Sequence, residues 1–184
     1  MRIFHHAGKI TLMPSTSKAE IRAQHLSRRP RSSEGLTEQL QNFVERLGAK
    51  NVASYHPLPT EPDTSDFNNA FARTGNLLLP RVIAEDIEFA YGALAAGSFG
   101  ILEPTGERVP IDAIELFIVP AMAVDRIGNR LGKGRGFYDR VLKTSVATAA
   151  AVVFDGEVVE LIDAEEHDVR MQYAVTPTST IRFE

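Results

Sequence analysis

The sequence predicts an α/β fold: a single domain whose mostly parallel sheet carries helices on both faces, in a Rossmann-like three-layer arrangement. Three observations predict it. Short runs rich in branched and aromatic residues, such as Leu116-Phe117-Ile118-Val119-Pro120, are too short for helices and suit buried strands. Segments with apolar residues at helical spacing alternate with these runs, and alternation of this kind builds crossover units. A glycine-rich stretch, GNRLGKGRGFYDR at 128–140, leaves such a strand and opens a helix, the place where sheets of this class bind ligands.

The 184 residues, 43% of them hydrophobic, can bury a full core and fit one domain. With no cysteine, disulfides, thiolate metal sites and thiol nucleophiles are excluded. A formal charge of −4 argues against nucleic acid as a partner, so any anion site must be local. No apolar run approaches membrane-spanning length and no signal peptide is evident, so the expected address is the cytoplasm, with no membrane partner. Residues 1–16 read as a flexible extension, with Met13 an alternative start, and 17–184 as the domain.

In chain order, Ser17-Lys18-Ala19-Glu20 reads as a capping box that starts a helix through Arg22 and Leu26. Lys18 and Arg22 share a face of it; read alone, they are ordinary solvated cations. SRRPRSS at 27–33 is a basic loop, read as solvated linker over phosphate patch. Leu36, Leu40, Phe43, Val44 and Leu47 make an amphipathic helix stopped at Gly48. Asn51 to Tyr55 is a short strand, followed by a proline-dense loop with Glu61 at its centre; a loop acid is ordinarily exposed. Phe67 and Phe71 mark a helix from Thr64 to Arg73, Leu77 to Val82 a buried strand, and Asp86 to Tyr91 an antiparallel or edge strand. GSFGILEPTGE at 97–107 is turn-rich. Thr148 to Phe154 and Val158 to Ile162 are further strands, and the tail from Glu165 has no readable period.

In the central loop Gly132, Gly134 and Gly136 alternate with Lys133 and Arg135, so the backbone can take positive φ and turn its amides inward among cations. This predicts an anion cradle on a helix N-terminus. It is neither the Walker pattern nor the dinucleotide fingerprint, both of which space their glycines differently. Arg130, Lys133 and Arg135 lie within six residues, and like charges so crowded repel unless an anion compensates them. A phosphate ligand is the reading preferred over a turn made only for tight packing. Asp139 reads as either a dipole-complementing acid or a magnesium ligand beside phosphate.

VPAMAVDRIGNRLGKGRGFYDRVL, residues 119–142, resembles the signature of the 5-formyltetrahydrofolate cyclo-ligase family, also called methenyltetrahydrofolate synthetases. Lys18 and Arg22 match the family's early Lys-x-x-x-Arg helix, Glu61 its acid after the first strand, Leu79-Pro80-Arg81 its Pro-Arg strand and Glu103-Pro104 its Glu-Pro turn. The resemblance implies ATP- and magnesium-dependent cyclisation of 5-formyltetrahydrofolate to 5,10-methenyltetrahydrofolate, releasing ADP and phosphate through a phosphorylated formyl intermediate. By the same resemblance Arg130, Lys133 and Arg135 are catalytic. ATP is met by Lys18, Arg22, Arg130, Leu131, Gly132, Lys133, Gly134, Arg135, Gly136, Phe137 and Tyr138. The folate is met by His56, Glu61 and Lys133 through Phe137. Asp139 holds magnesium, with a monomer or weak homodimer expected.

Two positions depart from the family pattern. Phe137 replaces a frequent tyrosine. Where the family places a second metal-binding acid after His167-Asp168-Val169-Arg170-Met171, this chain has Gln172, so the second ligand is expected to be Asp168 or Gln172. These departures keep open a non-catalytic nucleotide- or folate-binding protein of the same fold. An isomerase or transferase acting on a sugar phosphate explains the loop but not the Lys-x-x-x-Arg helix.

Overall fold

The computed structural model describes residues 17–30, 32–97, 100–165 and 168–184. The expected extension at 1–16, Arg31 of the basic loop and His167 of the late motif lie outside them. The chain opens with helices α1 (Lys18–Arg28) and α2 (Leu36–Leu47), strand β1 (Asn51–Ala53) and helix α3 (Ser65–Phe71). A meander follows, with β2 (Asn76–Ile83), β3 (Asp86–Ala90), β4 (Leu94–Ala96), β5 (Leu102–Pro104) and β6 (Arg108–Val109). Then come β7 (Leu116–Pro120), the hairpin β8 (Ala123–Asp125) and β9 (Arg130–Leu131), and α4 (Phe137–Lys143). The chain ends with β10 (Thr148–Val152), β11 (Val158–Val159), β12 (Tyr173–Val175) and β13 (Thr180–Arg182).

Among the described residues the main sheet has eight strands in the order β13-β12-β10-β7-β1-β2-β3-β6. The five from β12 to β2 are parallel, and antiparallel strands close both sides. The first strand lies in the middle. From it the chain moves one way to β2 and later returns to β7 on its other side, so the order reverses between β1 and β7. The crevice beyond the C-terminal ends of those strands is where such sheets bind ligands.

Strand alternation sends residues to two cores. Leu116 and Ile118 of β7, with Ala150 and Val152 of β10, pack under α2 and α3 through Leu36, Leu40, Phe43 and Phe67. Phe117 and Val119, with Ala149 and Ala151, face the opposite way toward Val141 and Leu142 of α4 and Phe89 of β3. A strand buried on both faces cannot alternate polar with apolar, which is why β7 reads as a continuous apolar run. A third, smaller cluster packs Ile21 of α1 on Met122, Ala123, Leu131 and Ile162, seating the first helix on the β8–β9 hairpin.

Local chemistry fixes the ends. Ser17 and Glu20 form the expected capping box, and Gly48, at φ 66°, stops α2 in the left-handed region. Several expectations need correction. β2 does not end at Pro80 but runs to Ile83, because its proline sits opposite Phe89 in an antiparallel pair near the sheet margin. β3 is antiparallel as expected but is covered on its outer side by β6. The strand expected at Val158 to Ile162 is two residues long and pairs outside the main sheet, with β8. Within the turn-rich segment Leu102–Pro104 forms β5, and the unread tail supplies β12 and β13. No helix among the described residues is long and apolar enough to cross a membrane.

Candidate active site

A cavity of about 990 Å³ lies at the reversal of strand order, lined by Tyr55 and His56 after β1, Pro120 at the end of β7, and Pro80 and Val82 of β2. That volume is at the top of the range for small-molecule sites, roughly 300–1,000 Å³. Lys18, Arg22, Glu61, Arg130 and the whole run from Leu131 to Asp139 also line it, as do Glu165 and Asp168. Residues up to 150 positions apart in sequence are thus brought together. Arg81 is not. Strand alternation turns Pro80 and Val82 into the cavity, while the Arg81 guanidinium bonds Glu88 and the carbonyls of Pro104 and Gly106.

The glycine loop does not run straight from β7. The β8–β9 hairpin intervenes, and it presents Arg130 from a strand instead of a free loop. Arg130 is 7% exposed; one terminal nitrogen spans both oxygens of Asp139 at 2.9 and 3.0 Å, and the guanidinium lies 5.8 Å from the Tyr138 ring centroid. Its Nε is buried without a hydrogen-bond partner. Gly134 and Gly136 take positive φ, 93° and 68°, as expected of the loop. Gly132 does not; it is needed for space, because a Cβ there would come within 2.6 Å of Arg130 Nη1. The helix after the loop has only seven residues, so little macrodipole is available and cationic side chains supply most of the field.

Each cation on the cavity wall meets an acid of the same wall. Lys133 Nζ lies 2.8 Å from Glu61, whose side chain is 7% exposed, against the expectation of a solvated loop acid. The other Glu61 oxygen accepts the Leu58 amide at 2.9 Å. Lys18 Nζ bonds Asp168 at 2.7 Å and Glu165 at 2.9 Å. Burial pulls the Lys18 ammonium down, but hydrogen bonds and charge from the two carboxylates outweigh it and raise its pKa. Arg22 Nε donates to the Gly132 carbonyl at 2.8 Å, tying α1 to the loop. The crowding of Arg130 and Lys133 is therefore relieved within the chain, by Asp139 and Glu61. Burial, then the negative charge of Glu61, pushes the Tyr138 hydroxyl well up, so it stays protonated and can donate.

Of the proposed metal residues, Asp139 and Asp168 line the cavity and Gln172 does not. Gln172 Oε1 accepts the Ala149 amide at 2.7 Å and its backbone exchanges bonds with Ala149 and Phe183, fixing it in the sheet. No group of three or more metal-ligating side chains is assembled among the described residues. Magnesium needs only one or two carboxylates beside substrate phosphates, and Asp139 and Asp168 meet that requirement.

Sequence reasoning missed two supports. Asp125, fully buried, accepts the amides of Ile127, Asn129 and Ile162 and the Asn129 side chain at 2.8–3.1 Å. The string Asp125-x-x-Gly128-Asn129 carries that turn chemistry and was readable. Arg29, at the end of α1, is buried against Glu157, 128 positions away, and no local signal marks it. The basic loop is thus not simply a solvated linker.

A large cavity at the strand-order reversal of an α/β sheet, walled by cations and by one glycine loop, defines a protein that binds anionic small molecules. Residues 10–177 match the 5-formyltetrahydrofolate cyclo-ligase family, and the chain belongs to that family of enzymes. A 5-formyltetrahydrofolate cyclo-ligase of Mycolicibacterium smegmatis is 34% identical over 186 residues, covering 90% of this chain and 96% of that protein. The solved 5,10-methenyltetrahydrofolate synthetase of Aquifex aeolicus is similar at a TM-score of 0.78 and 30% identity, covering 90% of this chain and 92% of that one. The synthetase of Mycoplasma pneumoniae has a TM-score of 0.71 at 21% identity, covering 87% and 98%, a likeness of fold.

Proposed function

We propose that this protein uses ATP and magnesium to close 5-formyltetrahydrofolate to 5,10-methenyltetrahydrofolate, releasing ADP and phosphate. A formamide oxygen is a poor leaving group; transfer of the γ-phosphoryl group onto it gives an iminium phosphate that the neighbouring folate amine attacks, expelling phosphate. Chemistry of this kind asks the protein chiefly to position and to neutralise charge. In this reading Arg130, Lys133 and Arg135 neutralise charge on the transferred group. Lys18 and Arg22 hold the ATP phosphates with them, and the run from Leu131 to Tyr138 wraps nucleotide and formyl group. Glu61 and His56 hold the folate, and Asp139 and Asp168 are the magnesium ligands. The expected setting is cytoplasmic, as a monomer or weak homodimer.

The observation that carries the reading is the buried Arg130 guanidinium. A buried N–H without a partner is costly, and Arg130 Nε is such a group on the wall of a cavity, beside a glycine that leaves room for close approach. A phosphate oxygen would complete it. Because each cation is neutralised by a neighbouring acid, binding becomes an exchange: phosphate takes the cations, and freed carboxylates turn to the metal. The test is to mix protein, ATP, magnesium and 5-formyltetrahydrofolate and follow the near-ultraviolet absorbance of the methenyl product. Absorbance that rises only with all components present supports the reading; nucleotide binding without product would make the chain a non-catalytic binder.

A further inference from the structure

One buried side chain outside the cavity touches three of the supports that hold its cations. Arg29 caps the C-terminal end of α1, and its side chain is 3% exposed. Nη1 donates to the Thr60 carbonyl at 2.6 Å, and Nη2 to the Ala121 carbonyl at 2.5 Å. Nε and Nη2 grip the two oxygens of Glu157 at 2.7 and 3.1 Å, and the Phe154 ring centroid lies 5.7 Å away. Glu157 is itself fixed, since it accepts the Phe154 amide at 3.0 Å. Each contact leads to the cavity. Thr60 precedes Glu61, which pairs with Lys133. Ala121 follows Pro120, whose carbonyl lies 3.4 Å from Arg130 Nη1. α1 carries Lys18 and Arg22.

We propose that Arg29 is a positioning residue for the reaction. It sets the spacing between the helix that presents Lys18 and Arg22, the turn that presents Glu61, and the β7–β8 junction that bears on Arg130. Resting on the function proposed above, this registers the phosphate-binding wall against the folate-binding wall. The role needs a guanidinium, because a planar fork with five donors reaches a carboxylate and two carbonyls at once. A lysine ammonium at the end of a flexible stem can keep Glu157 but cannot hold all three in fixed directions.

Steady-state kinetics with each substrate varied in turn, read beside melting temperature, separate positioning from bare stability. Arg29→Lys is expected to stay folded while KM rises about tenfold for both ATP and 5-formyltetrahydrofolate, the scale of a small misplacement of binding groups. Glu157→Gln keeps the fork on Thr60 and Ala121; it should lower the melting temperature and leave both KM values within about twofold. Should Arg29→Lys not fold, the double variant R29M/E157Q, which strands no buried charge, carries the same expectation as Arg29→Lys. A folded Arg29 variant that melts lower but keeps wild-type KM for both substrates overturns the proposal and leaves the function standing. A wild-type protein that makes no methenyl product sinks the functional reading, and this inference with it.

Discussion

Charges beneath the cavity and charges on its wall are held in different ways. Beneath it, Asp125 is capped by three backbone amides and an asparagine, and Arg29 by two carbonyls and a glutamate that is itself fixed. On the wall, Lys18 and Lys133 lean on carboxylates of neighbouring cavity residues, and Arg130 rests chiefly on Asp139 with its Nε bare. Backbone partners cannot leave without unfolding something. Side-chain partners can be exchanged for a ligand. Satisfied charge therefore marks scaffold, and exchangeable charge marks the chemistry, even though both kinds are largely withdrawn from solvent.

The largest effect expected from that contrast is at Arg130. Arg130→Ala should slow formation of the methenyl product at saturating ATP by about two to three orders of magnitude, the usual scale for one lost electrostatic donor. Its folded state should survive, because Asp139, the partner left behind, borders the cavity and can be reached by water. A variant that turns over normally would place Arg130 with the scaffold, and the contrast would collapse at its strongest point.

Asp125 should behave in the opposite sense. Asp125→Ala strands three buried amides and is expected to lower stability by about 3 kcal/mol, read as an earlier denaturant midpoint. Whatever fraction remains folded should keep a near-normal KM for ATP. A large KM change with unchanged stability would show that the hairpin turn reaches into the cavity.

How much of this was legible in the sequence follows the same division. β7 and the capping box were readable because their causes are local: an apolar run, and a serine three residues before a glutamate. The glycine loop was readable as an anion site, but the reason for Gly132 was not, since the group it makes room for is Arg130 folded back along the hairpin. Glu61 could not be promoted from loop acid to cavity acid by its neighbours in sequence, because the partner that buries it is Lys133, on another element. Arg29 was invisible for the same reason. Pairing across distant strands is set by topology, and only the family resemblance supplied a substitute for it.

Lys18 tests the exchangeable side more gently. Lys18→Ala should raise KM for ATP by about tenfold, the loss of one charge-assisted contact, with little change in melting temperature. The pH dependence sharpens this. With a folded pKa raised above 10.5, the tether contributes fully below that ordinary value and fades only as pH rises through the higher one. The ratio of wild-type to variant KM should therefore stay flat from about pH 6 to about pH 9. A ratio that changes across neutrality would mean that Asp168 or Glu165, not Lys18, governs that corner.

The smallest effect is expected where the family pattern fails. From sequence, Gln172 stands in the place of a metal-binding acid, and replacing it with aspartate would be expected to lower the magnesium needed for half-maximal rate. The fold removes that expectation. Gln172 Oε1 is committed to the Ala149 amide, and neither its side chain nor its backbone borders the cavity. Asp168, four residues earlier, does border it, and is held only by Lys18 and the Glu165 amide among its listed hydrogen bonds of this kind: one cation and one N–H, both able to yield. Initial rate against free magnesium at fixed ATP should give superimposable curves for wild type and Gln172→Asp, whereas Asp168→Asn should shift half-saturation several-fold upward, about the loss of one of two carboxylates. A leftward shift for Gln172→Asp would mean that the tail leaves the sheet when ligands bind, and that the glutamine belongs with the exchangeable groups after all.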